Sequence, residues 1–164
     1  MKFKHVLVLA AFMTVALFSC SEESQLDEDL DDIKSFLSTN HISAEKYQNI
    51  YYEVLKEGTG DQCEAGDIVA FKYTLWSISD TTVVIDKSTN KAFTCTLPAT
   101  IPNSEGEIIT GLQIGLTTMK VGGISRFYIP SPYAYGSKEI NGETYANLLF
   151  EVELCEIKTY GSKH

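Results

Sequence analysis

The apolar positions of this chain change period along its length, and the changes mark its elements. Val6 to Phe18 is a near-continuous apolar run behind Lys2 and Lys4. Leu26, Leu30, Ile33 and Leu37 then recur at helical spacing and share one face. Asp27, Glu28, Asp29, Asp31 and Asp32 crowd the first turns of that helix, where its dipole favours negative charge, and they read as a solvated start. From residue 50 the period shortens. Strand-like segments run over 50–56, 67–77, 83–86, 92–97, 123–130 and 148–156, divided by turn-formers such as Gly58-Thr59-Gly60 and Ser88-Thr89-Asn90. In the last of them Leu148, Phe150, Val152 and Leu154 alternate with Glu151 and Glu153, which predicts an antiparallel sheet with one dry face and one wet face. Between the strands, Ile109, Leu112, Leu116 and Met119 share the face of a short helix. Such a helix is marginal alone in water, so the sheet must wrap it. The expected fold is α+β: a twisted antiparallel sheet of five to six strands around one short helix, with an amphipathic helix in front.

The front end has the charge and length of a secretory signal, too short for a stable membrane span. Leu17-Phe18-Ser19-Cys20 resembles a bacterial lipobox, which implies a lipidated Cys20. The expected organisation is a lipoprotein signal over 1–19, an acidic tether and helix over 20–48, and one domain over 49–160. Ser21 after the cysteine resembles outer-membrane sorting, and the acidic residues behind it resemble a surface-export signal. The expected location is therefore the outer membrane, with the facing side left open.

Charge narrows the partners. The formal charge is −9, and loss of Lys2 and Lys4 with the signal makes it −11, which argues against nucleic acid or anionic headgroups. His5, His41 and His164 belong to no metal-ligand spacing, so neither metal nor cofactor is expected. Asp27-x-Asp29-x-Asp31 fails as a calcium loop, with Asp32 where Gly is needed and Ser38 where a bidentate Glu is needed. Ser43-Ala44-Glu45-Lys46 matches a penicillin-enzyme pattern without its companion motifs. Cys63, Cys95 and Cys155 form no C-x-x-C and are expected as free thiols. Hydrolysis, phosphoryl transfer and redox chemistry all lack their parts, which leaves an apolar pocket and hydrogen bonds.

Seven pieces in order then carry a resemblance: YYEVLKEGTG, the Gly66–Thr74 run, IDKS, KAFTCTL, IITGLQIGLTTMKVGG, IPSPYAYG and NLLFEVELCEI. Together they resemble the FKBP-type peptidyl-prolyl isomerases from about Tyr51 to Ile157. The resemblance implies a proline pocket between sheet and helix. Tyr73, Asp86, Phe93, Ile109 and Tyr135 would stand as catalytic residues, and Ile85, Ile108, Leu112 and Phe150 as substrate-binding ones. By the same resemblance the Ile109 N–H and the Tyr135 hydroxyl hold substrate carbonyls, while Asp86 orients polar groups at the rim. Leu112 replaces a tryptophan at the pocket floor, and Ile85 replaces a phenylalanine common in relatives. The 137–147 loop lacks the usual prolines, and Pro98–Gly106 resembles an insertion near the rim. Without the resemblance, Tyr73, Phe93 and Phe150 read as core and Asp86 as a strand terminator.

Three functions follow. The first is a membrane-anchored isomerase acting on X-Pro bonds of exported polypeptides and assisting their folding. The second is a catalytically weak chaperone or binding module of the cell envelope. The third is a glycan-binding surface domain, with Trp76, Phe71 and Tyr73 as its stacking platform.

Overall fold

The computed structural model describes residues 23–158, so the expected signal and Cys20 lie outside the described residues. Helix α1 (23–39) is followed by strands β1 (Glu45–Tyr47), β2 (Ile50–Lys56), β3 (Ile68–Ser77), β4 (Asp86–Lys87) and β5 (Phe93–Thr96). Helix α2 (Thr110–Leu116), β6 (Ile124–Ile129) and β7 (Leu148–Lys158) complete the chain. All seven strands form one antiparallel sheet in the order β1-β2-β6-β7-β3-β4, with β5 also paired to β3. The long β3–β7 ladder is its spine, carrying pairs from Ile68↔Lys158 to Ser77↔Leu148.

The strand beyond the expected six is β1, which pairs Tyr47 with Ile50 across Gln48 and Asn49. Its three residues are all exposed, so no apolar alternation announces it. The segment expected as a strand from Val83 contributes only Asp86 and Lys87, paired with Leu75 and Thr74. Val83 and Val84 are exposed ahead of it, where β-propensity finds no ladder to join.

The dry face follows the alternation. Leu148, Phe150, Val152 and Leu154 enter the main core with Phe71, Phe127, Leu112, Ile114 and Leu116. Helix α2 lies close against β6 because Gly111 faces Ile129 and Gly115 faces Phe127; a methyl at Gly115 would meet the Phe127 ring at 2.8 Å. Six of its seven residues are buried, which gives so short a helix its stability from packing.

The other face is only half wet, a correction to the expected pattern. Tyr51, Tyr128, Leu149 and Trp76 are neighbours in one row across β2, β6, β7 and β3. They form a second core with Leu30, Ile33 and Leu37 of α1. The apolar stripe of α1 thus packs on its own domain. Trp76 is taken up in that cluster while Tyr73 packs on the opposite face, so the platform required for glycan stacking is not assembled. Beyond α1 the same face is solvated, with Arg126 reaching Glu151 at 2.9 Å and Lys72 reaching Glu153 at 3.3 Å.

Asp29 corrects a second expectation. It is 2% exposed and docks on Ser131, whereas Asp31 and Asp32 of the same acidic run are exposed. Helical geometry decides this: Asp29 lies beside Leu30 and Ile33 on the inward arc, and Asp31 and Asp32 lie outside it.

Candidate active site

The dry face of the sheet and the start of α2 enclose a cavity of about 500 Å³. Period-two alternation along β3 sends Phe71, Tyr73 and Leu75 to its wall. Phe93 on β5 closes that side, with its ring 5.5 Å from Phe71 and 6.4 Å from Tyr73, the latter edge to face. Phe150 on β7 stands 6.0 Å from Tyr73, and Leu112 of α2 shares the floor. Ile108 and Ile109 lead into α2 along one rim, while Pro132, Ala134 and Tyr135 border another.

Tyr73, Asp86 and Tyr135 bring polar groups to this space. Tyr73 Oη donates to Asp86 Oδ2 at 2.7 Å. Burial first, and then that bond and the charge of Asp86, push the Tyr73 phenol up to about 12. Burial and the Asp86 charge also raise Tyr135. Both phenols are therefore neutral hydrogen-bond donors across the physiological range. Tyr135 is 40% exposed at the mouth, with Lys138 Nζ 5.7 Å from its ring centroid. Among the described residues neither the Tyr135 hydroxyl nor the Ile109 N–H has a hydrogen-bond partner, so both are open to a ligand's carbonyl oxygens. Among the described residues no group of His, Cys, Asp and Glu is arranged to hold a metal ion.

Eight of the nine pocket residues expected from the resemblance meet at this cavity: Tyr73, Asp86, Phe93, Ile108, Ile109, Leu112, Tyr135 and Phe150. Ile85 does not. Its N–H is bonded to the Leu75 carbonyl at 2.8 Å and its half-buried side chain packs on the main core, leaving Asp86 to face the cavity. Phe71 and Leu75 also line the cavity, though neither is among the pocket residues that the resemblance implies; their spacing of two on either side of Tyr73 is the signal that places them there. Ser104, Gly106 and Glu107 also border the cavity, and no periodicity marks them.

That last rim is held from within. Gln113 of α2 is wholly buried. Its Oε1 accepts from Asn103 N at 2.9 Å, and its Nε2 donates to the Asn103 and Ile108 carbonyls at 2.6 and 2.8 Å. Gly106 lies so close to the Gln113 amide that any Cβ there would overlap it. The expected insertion is thus an ordered wall of the cavity, tied to the helix that forms its floor.

A family model described as FKBP-type peptidyl-prolyl cis-trans isomerase matches residues 60–155. FK506-binding protein 4 of Emericella nidulans is 32% identical over 139 residues, 84% of this chain and 28% of that protein. FK506-binding protein 4 of Chaetomium thermophilum is 36% identical over 116 residues, 68% of this chain and 22% of its own length. This chain therefore spans about a quarter of the curated relatives it matches. A peptidyl-prolyl cis-trans isomerase of Pseudomonas syringae has the same fold, with a TM-score of 0.64 and 22% identity over 81% of this chain and 96% of that one. The order of strands, the helix they wrap and the extent of the family match agree: this chain belongs to the FKBP-type peptidyl-prolyl cis-trans isomerase family.

Proposed function

We propose that the domain over 49–160 is a peptidyl-prolyl cis-trans isomerase acting on X-Pro bonds of exported polypeptides, held at the outer membrane by a lipid on Cys20. The observation that carries the activity is the aromatic-walled cavity with the Tyr73–Asp86 pair on its wall and, at its edge, two donors that have no partner among the described residues. Rotation about an X-Pro bond faces a barrier of about 18–20 kcal/mol, set by amide resonance. The twisted amide has lost that resonance and with it much of its charge separation. A cavity walled by Tyr73, Phe93, Leu112 and Phe150 solvates the planar, polar amide worse than water does and penalises the twisted one less. The Ile109 N–H and the Tyr135 hydroxyl hold the flanking carbonyls, so that rotation takes place against a fixed frame. No proton needs to move.

The test is cis-to-trans conversion of X-Pro tetrapeptides by the purified protein, timed against an uncatalysed reaction of tens to hundreds of seconds. Acceleration that is lost in Tyr135→Phe or Phe93→Ala supports the enzyme. A rate equal to buffer from folded protein sinks it. One observation favours a second reading, a weakly catalytic binding module: the floor is the aliphatic Leu112, and Ile85 stands back from the cavity. That reading expects proline peptides to bind without turnover. The anchor rests on the lipobox-like Leu17–Cys20 and is tested by incorporation of labelled fatty acid, which Cys20→Ala should abolish.

A further inference from the structure

We propose that Asp29 of α1 is a positioning residue for the loop that carries Tyr135. The inference deepens the isomerase reading and rests on it for its catalytic meaning. The carboxyl of Asp29 is almost wholly buried, a costly placement unless its oxygens are bonded. Oδ1 accepts from Gln25 of the same helix at 2.8 Å. Oδ2 accepts twice from one residue, the N–H of Ser131 at 2.9 Å and its hydroxyl at 2.6 Å. Ser131, itself fully buried, then accepts on its carbonyl from Ala134 N at 2.9 Å and Gly136 N at 2.8 Å. These two amides bracket Tyr135, so a chain of bonds runs from α1 to the residue with the open hydroxyl.

Seating α1 on the sheet does not require this carboxyl. Leu30, Ile33 and Leu37 already pack on Tyr51, Tyr128 and Leu149, and an apolar residue at 29 would add to that burial. What Asp29 adds is direction, since both bonds of Oδ2 end on the pocket loop. Asn147 Oδ1 also accepts from Ser131 N, at 3.2 Å, but leaves the hydroxyl to Asp29 alone among the described residues. Helix α1 precedes the stretch matched by the family model, which begins at residue 60. A segment outside the family's common domain would thus set the precision of its site.

The test uses the full chain and compares Asp29→Ala, Asp29→Asn, Ser131→Ala and Ile33→Val. The readouts are amide exchange at Ala134 and Gly136, and kcat/KM on an X-Pro peptide. Asp29→Ala should speed exchange at both amides and lower kcat/KM, each by about tenfold, the change equivalent to one good hydrogen bond. Asp29→Asn, which keeps an acceptor, should recover most of both. Ile33→Val loosens α1 without touching Ser131 and should leave both near wild type. Equal effects of Asp29→Ala and Ile33→Val, or none from Asp29→Ala, would overturn the proposal. Should Asp29→Ala fail to fold, Ser131→Ala must shift both readouts in the same direction by a smaller factor, and no shift overturns it. If the wild-type chain turns over no X-Pro peptide, the isomerase reading fails by itself. Exchange at Ala134 and Gly136 then decides whether Asp29 positions the loop.

Discussion

The Tyr73 hydroxyl donates to the Asp86 carboxyl at 2.7 Å on the wall of the aromatic cavity, and this bond joins two residues that lie 13 apart in the chain. Asp86 sits on a two-residue edge strand, where its other carboxyl oxygen accepts from Lys87 N at 2.8 Å, while Tyr73 is at the middle of the longest ladder. The expected consequence is that Tyr73→Phe frees Asp86 more than it disturbs Tyr73. A hydrogen bond to a charged group contributes about 1.5–3 kcal/mol, so kcat/KM on an X-Pro peptide should fall roughly 10–100-fold. Thermal stability should fall only modestly, by less than that bond's full value, because the bond is open to solvent. Steady-state kinetics beside a melting curve checks both.

Alkaline pH should destabilise the fold through its tyrosines. Burial and the Asp86 bond raise Tyr73 to about 12, burial raises Tyr128 and Tyr135, and the Glu45 bond raises Tyr52. A phenol raised above its unfolded value of about 10 keeps its proton longer in the folded state. Its contribution to stability is complete below pH 10 and is lost as pH climbs through the folded value. Denaturant midpoints should begin to fall above about pH 8, where the buried thiols of Cys63 and Cys95 ionise only in the unfolded chain, and should fall more steeply above about pH 10, where the phenols add to the loss. Tyr73→Phe should make the fall shallower. An unchanged slope would mean that Tyr73 is not among the groups responsible.

The thiols should differ in reactivity. Burial pushes Cys63 up to about 12 and Cys95 up to about 11, and both belong to the main core, whereas Cys155 is partly exposed. Only the thiolate reacts quickly with an alkylating reagent. At pH 8 the native protein should therefore be modified at Cys155 well before Cys63 or Cys95. All three should react once the chain is unfolded, and peptide mass mapping reads the order directly.

Gly106 should tolerate no side chain. A Cβ there overlaps the Gln113 amide, which must then give up its bonds to Asn103 and Ile108. Gly106→Ala is expected to cost about 1–3 kcal/mol, the penalty for stranding a buried polar group. It should also weaken binding of proline peptides by opening the rim. If Gly106→Ala keeps wild-type stability, Gln113 does not hold this wall.

Much of the fold was legible because its signals are local. The alternation through Leu148–Leu154 places the core face of β7 as found, and Leu112 and Leu116 fall in α2 and are buried as expected. Ile109 and Met119 lie just outside the helix, because nearly every residue of so short a helix is buried and no single face marks its ends. The ordered pieces that resemble the family led to Tyr73, Asp86, Phe93, Leu112, Tyr135 and Phe150, which do converge on one cavity. The misses share a cause. β1 has no apolar face, and the rim at Ser104–Glu107 is irregular, so neither carries a period to read.

By itself, then, the sequence determined the α+β class, the dry face of the sheet and the short buried helix, since each follows from spacing along a few turns or one strand; most of the pocket wall came from the ordered pieces that resemble the family, not from spacing. Only the tertiary structure decided that α1 caps the back of its own sheet, and that Asp29 alone of its acidic run is buried against Ser131. It likewise decided that Gln113 ties down the rim and that Ile85 stands back from the cavity. The physical reason is separation. Asp29 and Ser131 are 102 residues apart, and a polar side chain's fate depends on which partner the packing of both faces brings within 3 Å.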